Sequence, residues 1–224
     1  MTDLRSRSRW LLTIIASFFI VVLAIAAIDE DRLRTYVQGR FGAAAVRNVR
    51  DWRESVARLT GQGESERLQG INDFFNRHIQ FQDDTVVWGQ DDYWATPLEF
   101  LGRASGDCED YAIAKYFSLI ELGVPASRMR LIYVRARFGG PGSTVSVAHM
   151  VLGYYAQPQA DPLILDNLLA EIRPASRRTD LTPVFSFNSD GLWMAGAEQP
   201  TAPVDRLSRW KDLLLRMRAE GYAP

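Results

Sequence analysis

Cysteine is nearly absent from this 224-residue sequence: Cys108 is the only one. A single thiol excludes an intrachain disulfide framework and a multi-cysteine zinc site. Histidine is almost as scarce, with only His78 and His149. Lysine is confined to Lys115 and Lys211, so arginine carries nearly all the positive charge. No sign of charge dominates: the net charge is −1, which leaves no nucleic-acid footprint and no nucleic-acid partner to expect. Internal repeats and low-complexity segments are missing as well.

One long apolar run is present. Arg5, Arg7 and Arg9 precede an uncharged, mostly apolar stretch over residues 10–28, and Asp29, Glu30 and Asp31 follow it. A basic start and an apolar core direct a chain across a membrane. The run is about as long as a spanning helix. Ala24-Ile25-Ala26 also offers a cleavage site. Residues 1–28 are therefore expected to be a signal peptide or a retained inner-membrane anchor. The positive-inside bias then places residues 29–224, one domain with a real core, outside the cytoplasm.

That domain is organised around Gly106-Asp107-Cys108-Glu109-Asp110-Tyr111-Ala112. Ser105-Gly106-Asp107 supplies turn and N-cap chemistry. Cys108 to Leu122 has helical spacing, and Gly123 and Pro125 end it. A thiol in a first helical turn meets unpaired N–H groups and the positive end of the helix dipole, which favour thiolate. A lone cysteine is otherwise a small core residue. Position alone does not choose between the two.

Two helices precede this one. Val46, Val49, Trp52, Val56 and Leu59 line the first, and Leu68, Ile71, Phe74, Phe75 and Ile79 the second, from about Glu64 to Ile79. His78 falls near the end of the second, as a partly exposed polar residue. Residues 81–94 are rich in acids and aromatics, and read equally well as a packed surface loop or a cleft wall. Thr96-Pro97-Leu98-Glu99 is a capping box with proline at the first helical position. After Pro125 the period becomes two. Met129 to Arg137, Val145 to Tyr155 and Leu163 to Asp166 read as strands, with edge strands near Phe185 to Phe187 and Leu192 to Met194. Asp205 is expected to cap a last helix with Leu207, Trp210, Leu214 and Met217 inward. Helices followed by an antiparallel sheet describe an α+β domain.

With two histidines, a cysteine hydrolase has few bases to choose from. His149 lies mid-strand between Val147 and Val151, an odd place for an imidazole without a partner. A hairpin folded between Gln157 and Pro158 sets Asp166 opposite His149, where side chains meet. Asp166 could then fix the imidazole tautomer, leaving the other nitrogen for Cys108. Otherwise it caps the turn at Asn167. Nucleophile, base and orienter together favour acyl transfer. Asp107, Glu109 and Asp110 crowd the thiol and would raise its pKa. A bound Ca²⁺ would resolve that conflict, with further ligands from Asp91, Asp92 or backbone carbonyls. The Cys108 N–H is the expected first oxyanion donor, and Trp94 a candidate second.

These segments resemble the bacterial transglutaminase-like cysteine proteinases. The resemblance rests on Asn72-Asp73-Phe74-Phe75-Asn76, Asp92-Tyr93-Trp94-Ala95-Thr96-Pro97-Leu98-Glu99-Phe100-Leu101, the Cys108 segment, Val147-Ala148-His149-Met150-Val151-Leu152 and Ile164-Leu165-Asp166-Asn167. It implies a papain/transglutaminase-like fold, with a helix bearing the cysteine packed on an antiparallel sheet bearing His149 and Asp166. It implies Cys108 as nucleophile, His149 as base, Asp166 as third triad member, and calcium dependence through Asp107, Glu109 and Asp110. Members of this kind are periplasmic. They cut the N-terminal region of a large surface adhesin, which disperses biofilm, and an inner-membrane cyclic di-GMP receptor restrains them through its periplasmic domain. Transglutaminase or amidase chemistry with the same triad, and a catalytically idle binding module, remain as alternatives.

Overall fold

A computed structural model describes residues 30–140 and 143–222. The apolar run at residues 10–28 lies outside them. Among the described residues, no helix is long and apolar enough to cross a membrane.

Helices come first. α1 (Glu30–Phe41) turns at Gly42, φ 85°, into α2 (Ala43–Leu59). α2 buries Val49, Trp52 and Val56 as the spacing predicts, whereas Ala45 is buried beside them and Val46 and Leu59 are only half-buried. α3 (Glu64–His78) buries Leu68, Ile71, Phe74 and Phe75. His78 is exposed at its end, stacked on Phe74 with ring centroids 4.5 Å apart. β1 (Gln80–Phe81) is followed by α4 (Asp84–Val87) and α5 (Pro97–Arg103). β2 (Ser105–Gly106) then pairs in parallel with β1, a contact too short to leave a periodic signal. α6 (Cys108–Glu121) is buried over most of its length and stops at Gly123, φ 82°. Trp52 Nε1 donates to Ser118 Oγ at 2.9 Å and ties α2 to α6.

The sheet follows: β3 (Met129–Arg137), β4 (Ser146–Tyr154), β5 (Leu163–Leu165), β6 (Arg173–Pro174), β7 (Leu181–Asn188) and β8 (Gly191–Met194). Its order is β6-β5-β4-β3-β7-β8, with every described pair antiparallel. Leu131, Met150, Leu152, Leu165 and Phe187 join the main core with α6. Ile132, Val134, Val151 and Ile164 form a separate small cluster. Residues paired across β3 and β4 point to one side, and both clusters obey that rule. The α+β expectation holds.

α7 (Ser208–Glu220) closes the chain. Asp205 does not cap it. Asp205 lies in a 3₁₀ turn, Val204–Arg206, and the N-cap is Leu207 without a side-chain bond. The extra turn delays the helix, and the buried stripe runs through Trp210, Leu213, Met217 and Glu220, with Leu213 in place of Leu214.

The two ends of the described chain meet on one carboxylate. Glu99 is fully buried, closes the expected capping box with Thr96, and accepts from Tyr93 Oη at 2.9 Å. Arg40 of α1 bonds its Oε1 at 3.0 Å, and Arg216 of α7 bonds its Oε2. Arg216 Nη2 also donates to the Trp94 carbonyl at 2.6 Å, which fixes the segment leading to the site. Arg40 and Arg216 are themselves only partly buried, so removing the carboxylate costs about 1.5–3 kcal/mol, the worth of a hydrogen bond to a charged group. Glu99→Ala is therefore expected to lose about that much stability in urea unfolding. A loss below about 1 kcal/mol would show that the cluster is only a bystander.

Candidate active site

Cys108 opens α6, and His149 lies on β4, paired with Val134 of β3. Both line a cleft of about 570 Å³, together with Asp92, Trp94, Glu109 and Tyr133. The acid- and aromatic-rich segment serves both of its readings. Asp91, Asp92 and Trp94 face the cleft, whereas Trp88 and Tyr93 stack on each other at 4.6 Å. The Trp94 indole is not a free donor, since its side chain hydrogen-bonds Asp92.

His149 is buried, and its Nε2 lies 2.8 Å from Asp166 Oδ1. The pair forms by a register other than the expected one. Leu152 pairs with Leu165, Gly153 with Ile164 and Tyr154 with Leu163. Continued by one step, that ladder sets Asp166 beside Val151, two residues from His149. The displacement is even, so both side chains keep one face and meet diagonally. Asp166 Oδ1 also accepts from Leu168 N at 3.0 Å, so it caps its own turn as well.

Arg178, which the sequence reading missed, completes this group. It is 4% exposed, and its Nη2 donates to Asp166 Oδ2 and Asp180 Oδ2, each at 2.7 Å. In an arginine-rich chain nothing in its spacing marks it. Burial alone would raise the Asp166 pKa. The hydrogen bond and charge of His149, the Leu168 N–H and Arg178 outweigh burial and hold it at about 2.

The sulfur is not poised as the helix dipole alone predicts. Cys108 Sγ donates to Glu109 Oε2 at 3.0 Å, and the Met150 backbone N–H bonds the sulfur. Among the described residues, no hydrogen bond joins Sγ to His149. Burial first, then the charge and hydrogen bond of Glu109 and the charge of Asp107, push the thiol pKa up. The Met150 N–H opposes them. Asp107 is the N-cap residue of α6 but makes no side-chain cap bond.

The carboxylates around the sulfur form a cluster with unmet oxygens. Asp84, Asp107 and Asp110 place ligand atoms within 4.8 Å of one another, as do Asp84, Asp92 and Glu109. Asp84 Oδ1, Asp107 Oδ1 and Asp110 Oδ2 are buried without a hydrogen-bond partner. The remaining oxygens are held by backbone: Tyr93 N donates to Asp84 Oδ2, and Ala95 N to Asp110 Oδ1 at 2.7 Å. A Cβ at Gly106 would collide with Asp110 Oδ2 and the Phe100 ring, so glycine is required there. Burial and mutual repulsion raise the pKa of Asp84 to about 6 and of Asp107 to about 10, and that of Asp110 well above its usual value. Buried carboxyl oxygens without donors fit a hard divalent cation, which would hold them ionised. Asp84, which the sequence reading left in the loop, belongs to this group. Asp91 does not join it.

A cysteine at the start of a buried helix, packed on an antiparallel sheet, defines the papain/transglutaminase-like class. Comparison narrows it. The family model described as bacterial transglutaminase-like cysteine proteinase matches residues 45–193, and the chain belongs to that family. Legionella pneumophila LapG in its EGTA-treated form is 35% identical, with TM-score 0.74, over 85% of this chain and 98% of that one. Calcium-bound LapG from the same organism is also 35% identical, with TM-score 0.71, over 85% and 99%. No curated protein matches.

Proposed function

We propose that this chain is a calcium-dependent cysteine endopeptidase acting outside the cytoplasm. The observation that carries the reading is one cleft lined by Cys108, by His149, whose imidazole bonds Asp166, and by Asp107 of the donor-poor carboxylate cluster. In the proposed reaction Cys108 leaves Glu109 and gives its proton to His149. The thiolate attacks the scissile carbonyl, and the imidazolium then protonates the leaving amine. Asp166 holds the imidazole through Nε2, which leaves Nδ1 for the sulfur. The Cys108 N–H at the helix start faces the developing oxyanion. Asp84, Asp107 and Asp110 would hold calcium, with Glu109 and Asp92 beside them. Calcium, when bound, supplies positive charge that offsets the carboxylate field on the thiol.

Arg178 acts here as a positioning residue. A hydrogen bond to a charged group contributes about 1.5–3 kcal/mol. Arg178→Met is therefore expected to lower kcat about 10–100-fold. Asp166 would lose part of what keeps it ionised, so the acid limb of the pH–rate profile should move upward. A variant with unchanged kcat and an unmoved acid limb would make Arg178 purely structural.

The proposed substrate is the N-terminal region of a large surface adhesin, cut in the periplasm, so that cleavage releases attachment. The proposed regulator is the periplasmic domain of an inner-membrane cyclic di-GMP receptor. The family assignment and the calcium-bound LapG structure support the calcium-dependent peptidase; the substrate and regulator rest on the sequence resemblance. Mass spectrometry of surface and periplasmic proteins, with and without the gene, tests it. A large surface protein with a gene-dependent new N-terminus is expected. Covalent uptake of a labelled amine without any new N-terminus would replace cleavage by transglutamination.

A further inference from the structure

Among the described residues, α6 packs on one face of the sheet, against β3 and β4. On the other, Ile132, Val134, Val151 and Ile164 pack as a cluster of their own, beneath a cavity of about 340 Å³. That volume is within the range of small-ligand sites, about 300–1,000 Å³. The rest of the wall is mostly apolar, and among the described residues no aspartate or glutamate lines it. The peptide cleft shares Phe185 with this wall, and of the residues given a role in the proposed reaction only Arg178 lines it.

At one end a buried donor lacks an acceptor, beside an arginine that bonds the Tyr155 side chain but no acid. Arg130 is half-buried, with its guanidinium 4.0 Å from the Trp193 ring centroid and 4.9 Å from that of Tyr155. No described acid pairs with it. Trp193 is 6% exposed, and its Nε1 is buried without a hydrogen-bond partner. A buried indole N–H ordinarily finds an acceptor. A second cation, Arg178, lies on the wall toward the far end of β3, and its Nη1 is likewise unpartnered. Arg178 is already paired with Asp166 and Asp180, so Arg130 is the cation without an acid, and it disfavours a cationic ligand. A neutral hydrocarbon would cover the apolar floor and leave the indole donor unmet. A polyanion such as a nucleotide would set hydrated phosphates against valine and isoleucine.

We propose that this cavity binds a small unbranched aliphatic carboxylic acid, its carboxylate on Arg130 and the Trp193 indole N–H and its chain on Ile132, Val134 and Ile164. The planar guanidinium matches a carboxylate, and stacking on Trp193 holds it in place. Sodium octanoate is the probe, titrated into the full chain carrying ¹⁵N-labelled indoles. The Trp193 signal is assigned from Trp193→Phe. Octanoate should shift that signal saturably, and octanol should bind at least tenfold more weakly. Arg130→Met should weaken octanoate binding at least tenfold while the other indole signals stay in place. No saturable shift with octanoate, equal binding of octanol, or unchanged binding in Arg130→Met would each overturn the assignment. The readout does not involve peptide cleavage, so its failure is distinct from failure of the peptidase reading.

Discussion

Cys108→Ala is expected to abolish peptide-bond cleavage while the protein stays folded. The sulfur makes few contacts that hold the fold, and alanine keeps the helix start. The loss should be on the order of 10⁴–10⁶-fold in kcat, as when one member of a catalytic unit is removed. His149→Ala should cost a similar factor, and the double variant little more, because the two groups act as one unit. The measurement is turnover of the protein substrate, with circular dichroism as the check on folding. Cleavage persisting within tenfold of the wild type would rule out the thiol as nucleophile, since no other cysteine exists in the chain.

Metal removal is the second large effect. With EGTA, Asp84, Asp107 and Asp110 keep buried oxygens without donors or counter-charge. Activity should fall by about 100-fold or more and return when calcium is restored, and Asp84→Asn should mimic chelation. Stability should follow. At a hundredfold excess over its dissociation constant, a ligand stabilises by about 2.7 kcal/mol. The pH dependence separates this cluster from Asp166. Raised carboxylate pKa values mean that the folded, metal-free protein binds more protons than the unfolded chain. Its stability should therefore decline as pH rises through about 6, where Asp84 ionises, and onward toward 10 for Asp107. Calcium should flatten that decline. Asp166 works in the opposite sense: its depressed pKa contributes stability above about 4 that is lost as pH falls toward 2. Thermal melts from pH 5 to 8 that are the same with calcium and with EGTA would remove the metal from the account.

Much of this protein is legible from its chain because long elements announce themselves. The stripes Val49–Trp52–Val56 and Leu68–Ile71–Phe75 mark α2 and α3, and alternation marks β3 and β4. What escapes is short or non-local. The two-residue pairs β1–β2 and β5–β6 are too brief for any period. Asp84 is one of several acids in a segment without periodicity, and only the folded chain brings it to Asp107 and Asp110. Arg178 reaches Asp166 across twelve residues, for reasons of packing. The hairpin register failed by two residues because a long connection absorbs its own slack. An even error spared the face and hence the His149–Asp166 contact. The sulfur's bond to Glu109 depends on a rotamer, which no spacing encodes.

The most direct test uses the scarcity of the thiol itself. Intact-mass spectrometry can follow iodoacetamide alkylation at neutral pH, where one added group reports Cys108 alone. With calcium present, the wild type should react at least tenfold faster than His149→Ala, and EGTA should slow it toward the variant. Equal rates in all three would mean that the imidazole does not activate the sulfur and that the cleft holds no working nucleophile.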